Sequence, residues 1–190
     1  MTEGIAHVHG RFQPFHDEHL EYVRWAATDH PGDRLVVGVT NADAAHTART
    51  EADPKRHRPR NNPFTYYERQ RMIHATLSGM GAELGCSVSV VPFPINRPEL
   101  WDAYAPADAV HYVNVLEEWH ERKLERLREH GRAVERKRGT RTISGTEIRA
   151  AMADGDPWAN RVPDPVATYI REHGLVDRVR DRYSEDDSGA

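Results

Sequence analysis

The residues best suited to chemistry stand near the start of the chain, in the run Gly10-Arg11-Phe12-Gln13-Pro14-Phe15-His16-Asp17-Glu18-His19-Leu20. A strand ending at Gly10, a proline turn and a helix starting near His16 or Asp17 would set His16 and His19 on one helical face. Helix N-termini expose unpaired backbone N–H groups and a partial positive charge, which suits phosphate. Two imidazoles there, with Arg11 as a cation on the entering turn, suit charge developing on phosphorus without a covalent intermediate. The same spacing also serves two surface histidines or an i, i+3 metal pair, and the chain holds twelve histidines.

A second run, Ile143-Ser144-Gly145-Thr146-Glu147-Ile148-Arg149, has the same logic. Ser144 or Thr146 can cap a helix, Gly145 permits a tight turn and Glu147 suits a first helical turn. The exposed N–H groups would cradle β- and γ-phosphates, with Arg149 reaching them from one turn in. Standing alone, the run fits an ordinary capped helix equally well.

Short apolar runs alternating with helical patterns imply βαβ units and a parallel sheet that position these two runs. Strands are expected at Ile5–His9, Arg34–Thr40, Ser87–Val91, Ala109–Val113 and Arg132–Lys137. Helices are expected over Leu20–Ala27, Thr65–Leu77, Leu116–His130, Thr146–Met152 and Pro165–His173. Residues 49–60 hold two prolines and five Arg or Lys, and read as a basic loop or flap. The stretch Glu117–Arg141 alternates in sign and reads mostly as a solvated helix face, with Lys137, Arg138 and Arg141 near enough to the Ser144 run to touch a triphosphate. The segment Ser184–Ala190 is acidic and rich in small residues, and is expected to be a disordered tail.

The 190 residues suit one α/β domain over residues 1–183, with a net charge of -4 that argues against a general nucleic-acid surface. A single cysteine excludes a disulfide scaffold and a four-thiolate zinc site. No apolar run approaches the roughly 18 residues of a membrane span, and no secretory pattern opens the chain, so a cytoplasmic protein with a reduced Cys86 is expected.

The run GRFQPFHDEH resembles the HxGH signature of the nucleotidyltransferase superfamily, in the GRFQPFHxGH form of archaeal-type nicotinamide mononucleotide adenylyltransferases. ISGTEIR resembles the ISxTxxR signature of the same superfamily. The resemblance covers roughly Ile5 to Val179 and implies a Rossmann-like fold with a central parallel sheet. It implies His16 and His19 as catalytic residues. Gly10, Arg11, Phe12, Glu18, Ser144, Gly145, Thr146 and Arg149 are the implied nucleotide or phosphate-binding residues. Glu18 replaces the signature's glycine, so its carboxylate must point away from the nucleotide or make a new contact. In Asn62-Pro63-Phe64-Thr65-Tyr66-Tyr67-Glu68-Arg69, Arg69 matches an arginine near the phosphates, and Trp101 in PELWDAY matches an aromatic that stacks on nicotinamide. An indole there equally serves the core.

Two regions depart from the adenylyltransferase pattern: the basic insertion 49–62, with Lys55 and Arg56 beside the acceptor, and Tyr112-Val113-Asn114-Val115-Leu116 where that pattern has SGNP. With FPINRPELW and EEWHERKL, they resemble the cytidylyltransferases of phosphonate natural-product pathways. The resemblance implies CMP transfer from CTP to a phosphonate such as phosphonoformate or 2-hydroxyethylphosphonate, with Mg²⁺ bridging the phosphates and no dedicated protein metal ligands. Arg69, Lys55, Arg56 and Trp101 are then acceptor-side residues. Competing readings are ATP-dependent adenylyl transfer to nicotinamide mononucleotide, and a non-catalytic nucleotide-binding regulator. Relatives that oligomerise leave a homo-oligomer open.

Overall fold

The computed structural model describes residues 4–30, 32–43 and 57–187. Five strands form the sheet: β1 (Ile5–Gly10), β2 (Arg34–Val39), β3 (Ser87–Pro92), β4 (Val110–Val115) and β5 (Val134–Arg138). Their order is β3-β2-β1-β4-β5, and every neighbouring pair is parallel. The chain winds outward from β1 in both directions, so the topological switch lies between β1 and β4, where open α/β sheets bind ligands at the strands' carboxyl ends. The β1–β2 and β2–β3 ladders each pair six residues, whereas β1 pairs with β4 only through Ala6–Val110 and His7–His111.

Seven helices appear among the described residues: α1 (Asp17–Asp29), α2 (Tyr66–Leu77), α3 (Gly81–Leu84), α4 (Glu118–Glu129), α5 (Gly145–Asp154), α6 (Asp164–Glu172) and α7 (Leu175–Asp187). Side chains of a strand alternate between faces. Ala6 and Val8 of β1 therefore join the larger core beneath α1, α2, α5, α6 and α7, together with Val37, Met72 and Ile148. Ile5, His7 and His9 face the other way, where Phe93, Trp101, Leu124 and Leu127 make a smaller core under α4.

Local chemistry explains the helix starts. Thr65 caps α2 through the Glu68 amide at 3.2 Å, while Glu68 Oε2 accepts from the Thr65 amide at 2.8 Å. Ser144 caps α5 in the same reciprocal way with Glu147, both bonds at 3.2 Å. All five expected strands and five expected helices are present, with ends shifted by at most three residues.

Two expectations need revision. Helix α7 continues through Ser184–Asp187, so the expected tail does not begin at Ser184, while residues 188–190 of it lie outside the described residues; Arg178 holds α7 to Glu68 of α2 at 2.7 Å. Within the basic segment, Pro59–Asn61 form a 3₁₀ turn rather than plain loop. Lys55 and Arg56 lie outside the described residues. No helix among the described residues is long and apolar enough to cross a membrane.

Candidate active site

A cavity of about 610 Å³ opens at the carboxyl ends of β1 and β4. Gly10, Arg11, Phe12, His16, Glu18 and His19 form one wall, and Ser144, Gly145, Thr146 and Arg149 form another. The two motifs, about 130 residues apart in sequence, thus face one space.

His16 is the N-cap of α1, and its carbonyl accepts from the His19 amide at 2.9 Å. The His16 amide in turn donates to His19 Nδ1 at 3.2 Å. That bond assigns the proton of a neutral His19 to Nε2, which becomes a donor. The two rings stack with centroids 3.5 Å apart. Burial, with Arg141 adding to it, pulls His16 down to about 4 despite the opposing pull of Glu18, and burial holds His19 well below its ordinary range. Both are therefore neutral near pH 7 in this state. A polyphosphate against them supplies the opposite charge that favours their protonated forms.

The approach to the pair is shaped by close packing. Phe12 adopts a left-handed backbone (φ 52°), and a Cβ on Gly10 would lie 2.8 Å from its ring. A Cβ on Gly145 would lie 2.7 Å from the Gln13 carbonyl oxygen, so only glycine lets α5 begin this close to the β1–α1 loop.

Glu18 makes a new contact. Its Oε1 accepts from the Thr142 amide at 2.6 Å, the Thr142 hydroxyl at 2.7 Å and the Ile143 amide at 3.0 Å. The carboxylate anchors the segment leading into Ser144. Burial alone would raise Glu18, but these bonds and His16 outweigh it and hold the carboxyl below its usual range.

The two expected ligand arginines instead brace the loop. Arg69 is buried and does not line the cavity; it donates to the carbonyls of Arg11 and Thr40 (2.8 Å each), Asn41 (2.7 Å) and Thr65 (3.2 Å). Its assignment to the acceptor is thereby corrected, because its donors are committed to backbone. Arg149 does line the cavity, yet its guanidinium donates to Gln13 O at 2.6 Å, Arg60 O at 3.1 Å and Asn61 Oδ1 at 3.2 Å. Arg149 thus reaches the cavity with its guanidinium tied to the loop that carries Gln13. Arg69 on Arg11 and Arg149 on Gln13 clamp the β1–α1 loop from two sides. Gln13 completes the clamp by pairing its side chain with both backbone groups of Phe64.

Trp101 is likewise corrected: it is buried against Phe93, donates Nε1–H to Pro94 O at 3.0 Å, and does not line the cavity. The third wall comes from α4, where Arg122, Lys123 and Arg126 turn toward the cavity beside His120. This stretch is more than a solvated face; the i, i+4 spacing of Arg122 and Arg126 was the available signal. Arg141 also lines the cavity and pairs with Glu117 at 2.6 Å. Lys137 instead covers the Trp25 ring, and Arg138 pairs with Glu121. Sequence reasoning also missed His7, His9 and His111, three buried rings on one sheet face. Their signal was the alternate His-Val-His of β1.

Such an arrangement can hold a polyphosphate between a histidine pair, the N-terminus of α5 and several cations, and stabilise charge on it. Residues 8–151 match the model of the family described as cytidylyltransferase-like. The phosphonoformate cytidylyltransferase of Streptomyces viridochromogenes is 39% identical over 179 residues, covering 93% of this chain and 96% of that protein. The nicotinamide-nucleotide adenylyltransferase of Thermoplasma acidophilum is 35% identical, covering 94% and 91% respectively. The bifunctional NMN adenylyltransferase/ADP ribose pyrophosphatase of Francisella tularensis shares the fold, with a TM-score of 0.67 and 16% identity; this chain covers 54% of it. With its two signature runs converging on one cavity, the chain belongs to the cytidylyltransferase-like family and is a nucleotidyltransferase.

Proposed function

We propose that this enzyme transfers CMP from CTP to a small phosphonate and releases pyrophosphate. The observation that carries the reading is a cavity with cations on three sides, which suits a triphosphate facing a compact anionic acceptor. Likeness to the Streptomyces enzyme supports the same substrate class. The acceptor oxygen attacks the α-phosphorus in line, the bond to the bridging oxygen breaks, and pyrophosphate leaves with the electron pair. His19 Nε2–H and His16 stabilise charge on the α-phosphate. The N–H groups at the start of α5 receive the β- and γ-phosphates, with Arg11, Lys123 and Arg141 nearby. Asn114, at the end of β4, lines the cavity with its Oδ1 unpartnered among the described residues, and can accept from an exocyclic amine of the base. An acceptor already ionised requires no strong general base.

The donor set bears on Mg²⁺. The cavity's two carboxylates are engaged, Glu18 by Thr142 and Ile143 and Glu117 by Arg141. This fits an ion brought in on the triphosphate's own oxygens, where it would neutralise phosphate charge. The relative from Thermoplasma favours a second reading, adenylyl transfer from ATP to nicotinamide mononucleotide. Pyrophosphate release from CTP and ATP, each offered with phosphonoformate, 2-hydroxyethylphosphonate and the mononucleotide, separates the two. Turnover with CTP and a phosphonate is expected. Turnover confined to ATP and the mononucleotide overturns the proposal. His19→Ala should lower kcat about 10²-fold or more, as loss of one electrostatic stabiliser does.

A further inference from the structure

Beneath the cavity, His7 and His9 of β1 and His111 of β4 form a cluster that nucleotidyl transfer does not use. His7 and His9 are two apart and share a face, and His111 sits in register with His7 on the neighbouring strand. All three are at least 98% buried, and none of their six ring nitrogens has a hydrogen-bond partner among the described residues. Buried polar groups are normally paired, and each left unpaired costs on the order of 1–3 kcal/mol. One ion ligated by a nitrogen from each ring would satisfy three of these six.

The geometry supplies the form of that partner. One ring nitrogen from each histidine lies within 4.8 Å of the others. A tetrahedral zinc with bonds of about 2.0–2.1 Å brings such nitrogens to about 3.4 Å, reachable by small ring rotations. The surroundings reinforce the placement. Phe93 packs against all three rings. A Cβ on Gly38 would lie 2.8 Å from His7 Nε2, so glycine in mid-strand makes room for that ring. No carboxylate belongs to the cluster, which disfavours Mg²⁺ and Ca²⁺, whereas imidazole suits zinc and its first-row neighbours.

We infer that His7, His9 and His111 form a binding site for a divalent first-row transition ion such as Zn²⁺. His9 also lines the nucleotide cavity, which gives an ion and a fourth ligand their approach. Lys123 and Arg132 act on the cluster as positive charges and oppose a bare cation, so an anionic fourth ligand such as hydroxide would offset them. The β1–β4 ladder is only two pairs long, and the ion would reinforce it at its His7–His111 pair and extend the link to His9.

The untagged chain, treated with chelator, is titrated with Zn²⁺ by calorimetry and with Co²⁺ by visible absorption. One equivalent should bind, Co²⁺ should show the intense spectrum of a tetrahedral site, and Zn²⁺ should raise Tm. Loss of an outer hydrogen-bond partner weakens metal sites about 10–100-fold, so His111→Phe, which removes a ligand but fills its space, should cost more than that. The His16→Ala/His19→Ala double variant should bind as the parent does. Absent binding, a weak octahedral Co²⁺ spectrum, affinity unchanged in His111→Phe, or loss confined to the His16/His19 variant each overturns the site. The parent's cobalt spectrum decides the matter even if His111→Phe does not fold.

Discussion

Glu18 offers the sharpest test of how this site is assembled. One carboxylate oxygen takes three hydrogen bonds from Thr142 and Ile143, at 2.6, 2.7 and 3.0 Å, two residues and one ahead of the Ser144 cap. Hydrogen bonds to charged groups are worth about 1.5–3 kcal/mol each in buried settings. This tether is half-exposed and its bonds share one acceptor, so about 2 kcal/mol for the whole is the appropriate scale. Glu18→Ala releases the segment that aims the N-terminus of α5 at the phosphates. If the nucleotide binds only the anchored arrangement, the apparent affinity falls by the anchored fraction. A loss of 2 kcal/mol sets a ceiling of about 30-fold on the rise in nucleotide KM. The histidine pair stays in place, so kcat should fall only a few-fold. Glu18→Gln retains an acceptor oxygen and should recover most of the affinity, with KM within about fivefold of the parent. The assay is pyrophosphate release over a nucleotide titration, with Tm measured alongside. An alanine variant whose KM stays within twofold, or whose kcat falls while KM does not, refutes the tether.

Three other outcomes follow from the same geometry. Arg69→Ala leaves four backbone carbonyls without their shared donor and should cost about 3 kcal/mol or more, seen as a Tm drop of about 6–12 °C; Arg69→Lys should not rescue it, since an ammonium cannot reach the fork's positions. Gly145→Ala presses a methyl against Gln13 O, so differential scanning calorimetry should show a lower Tm and kinetics a higher nucleotide KM; parental values would mean that α5 shifts freely. His16 is depressed to about 4 in the folded chain against about 6.5 unfolded, so the unfolded state takes up the proton first as pH falls. Stability from this residue is complete above pH 6.5, is lost between 6.5 and about 4, and levels off below. Urea unfolding at pH 7 and pH 5 should show a loss smaller by about 2 kcal/mol in His16→Gln than in the parent, and equal losses would contradict neutral burial.

What the sequence alone determines is local. The Thr65–Glu68 and Ser144–Glu147 caps, the Val-rich β2 and the strand-to-helix turn after Gly10 are decided by residues within a few positions of one another. So is the pairing of His16 with His19, because a helix alone sets that spacing. The two phosphate motifs were legible as separate pieces, and the parallel sheet made them one cavity. Side chains whose partners are remote in sequence could not be assigned from it. Arg69 and Arg149 have a cation's usual ligand role in the sequence, but chain crossing buries each against carbonyls that would otherwise lack donors. Trp101 could stack on a substrate or fill a core, and the fold places it under α4. Glu18 meets Thr142 more than 120 residues away, and His111 meets His7 only because β4 returns beside β1. Local sequence decides which element forms and what its ends expose; tertiary packing decides which polar groups are used up in holding the chain and which are left to act.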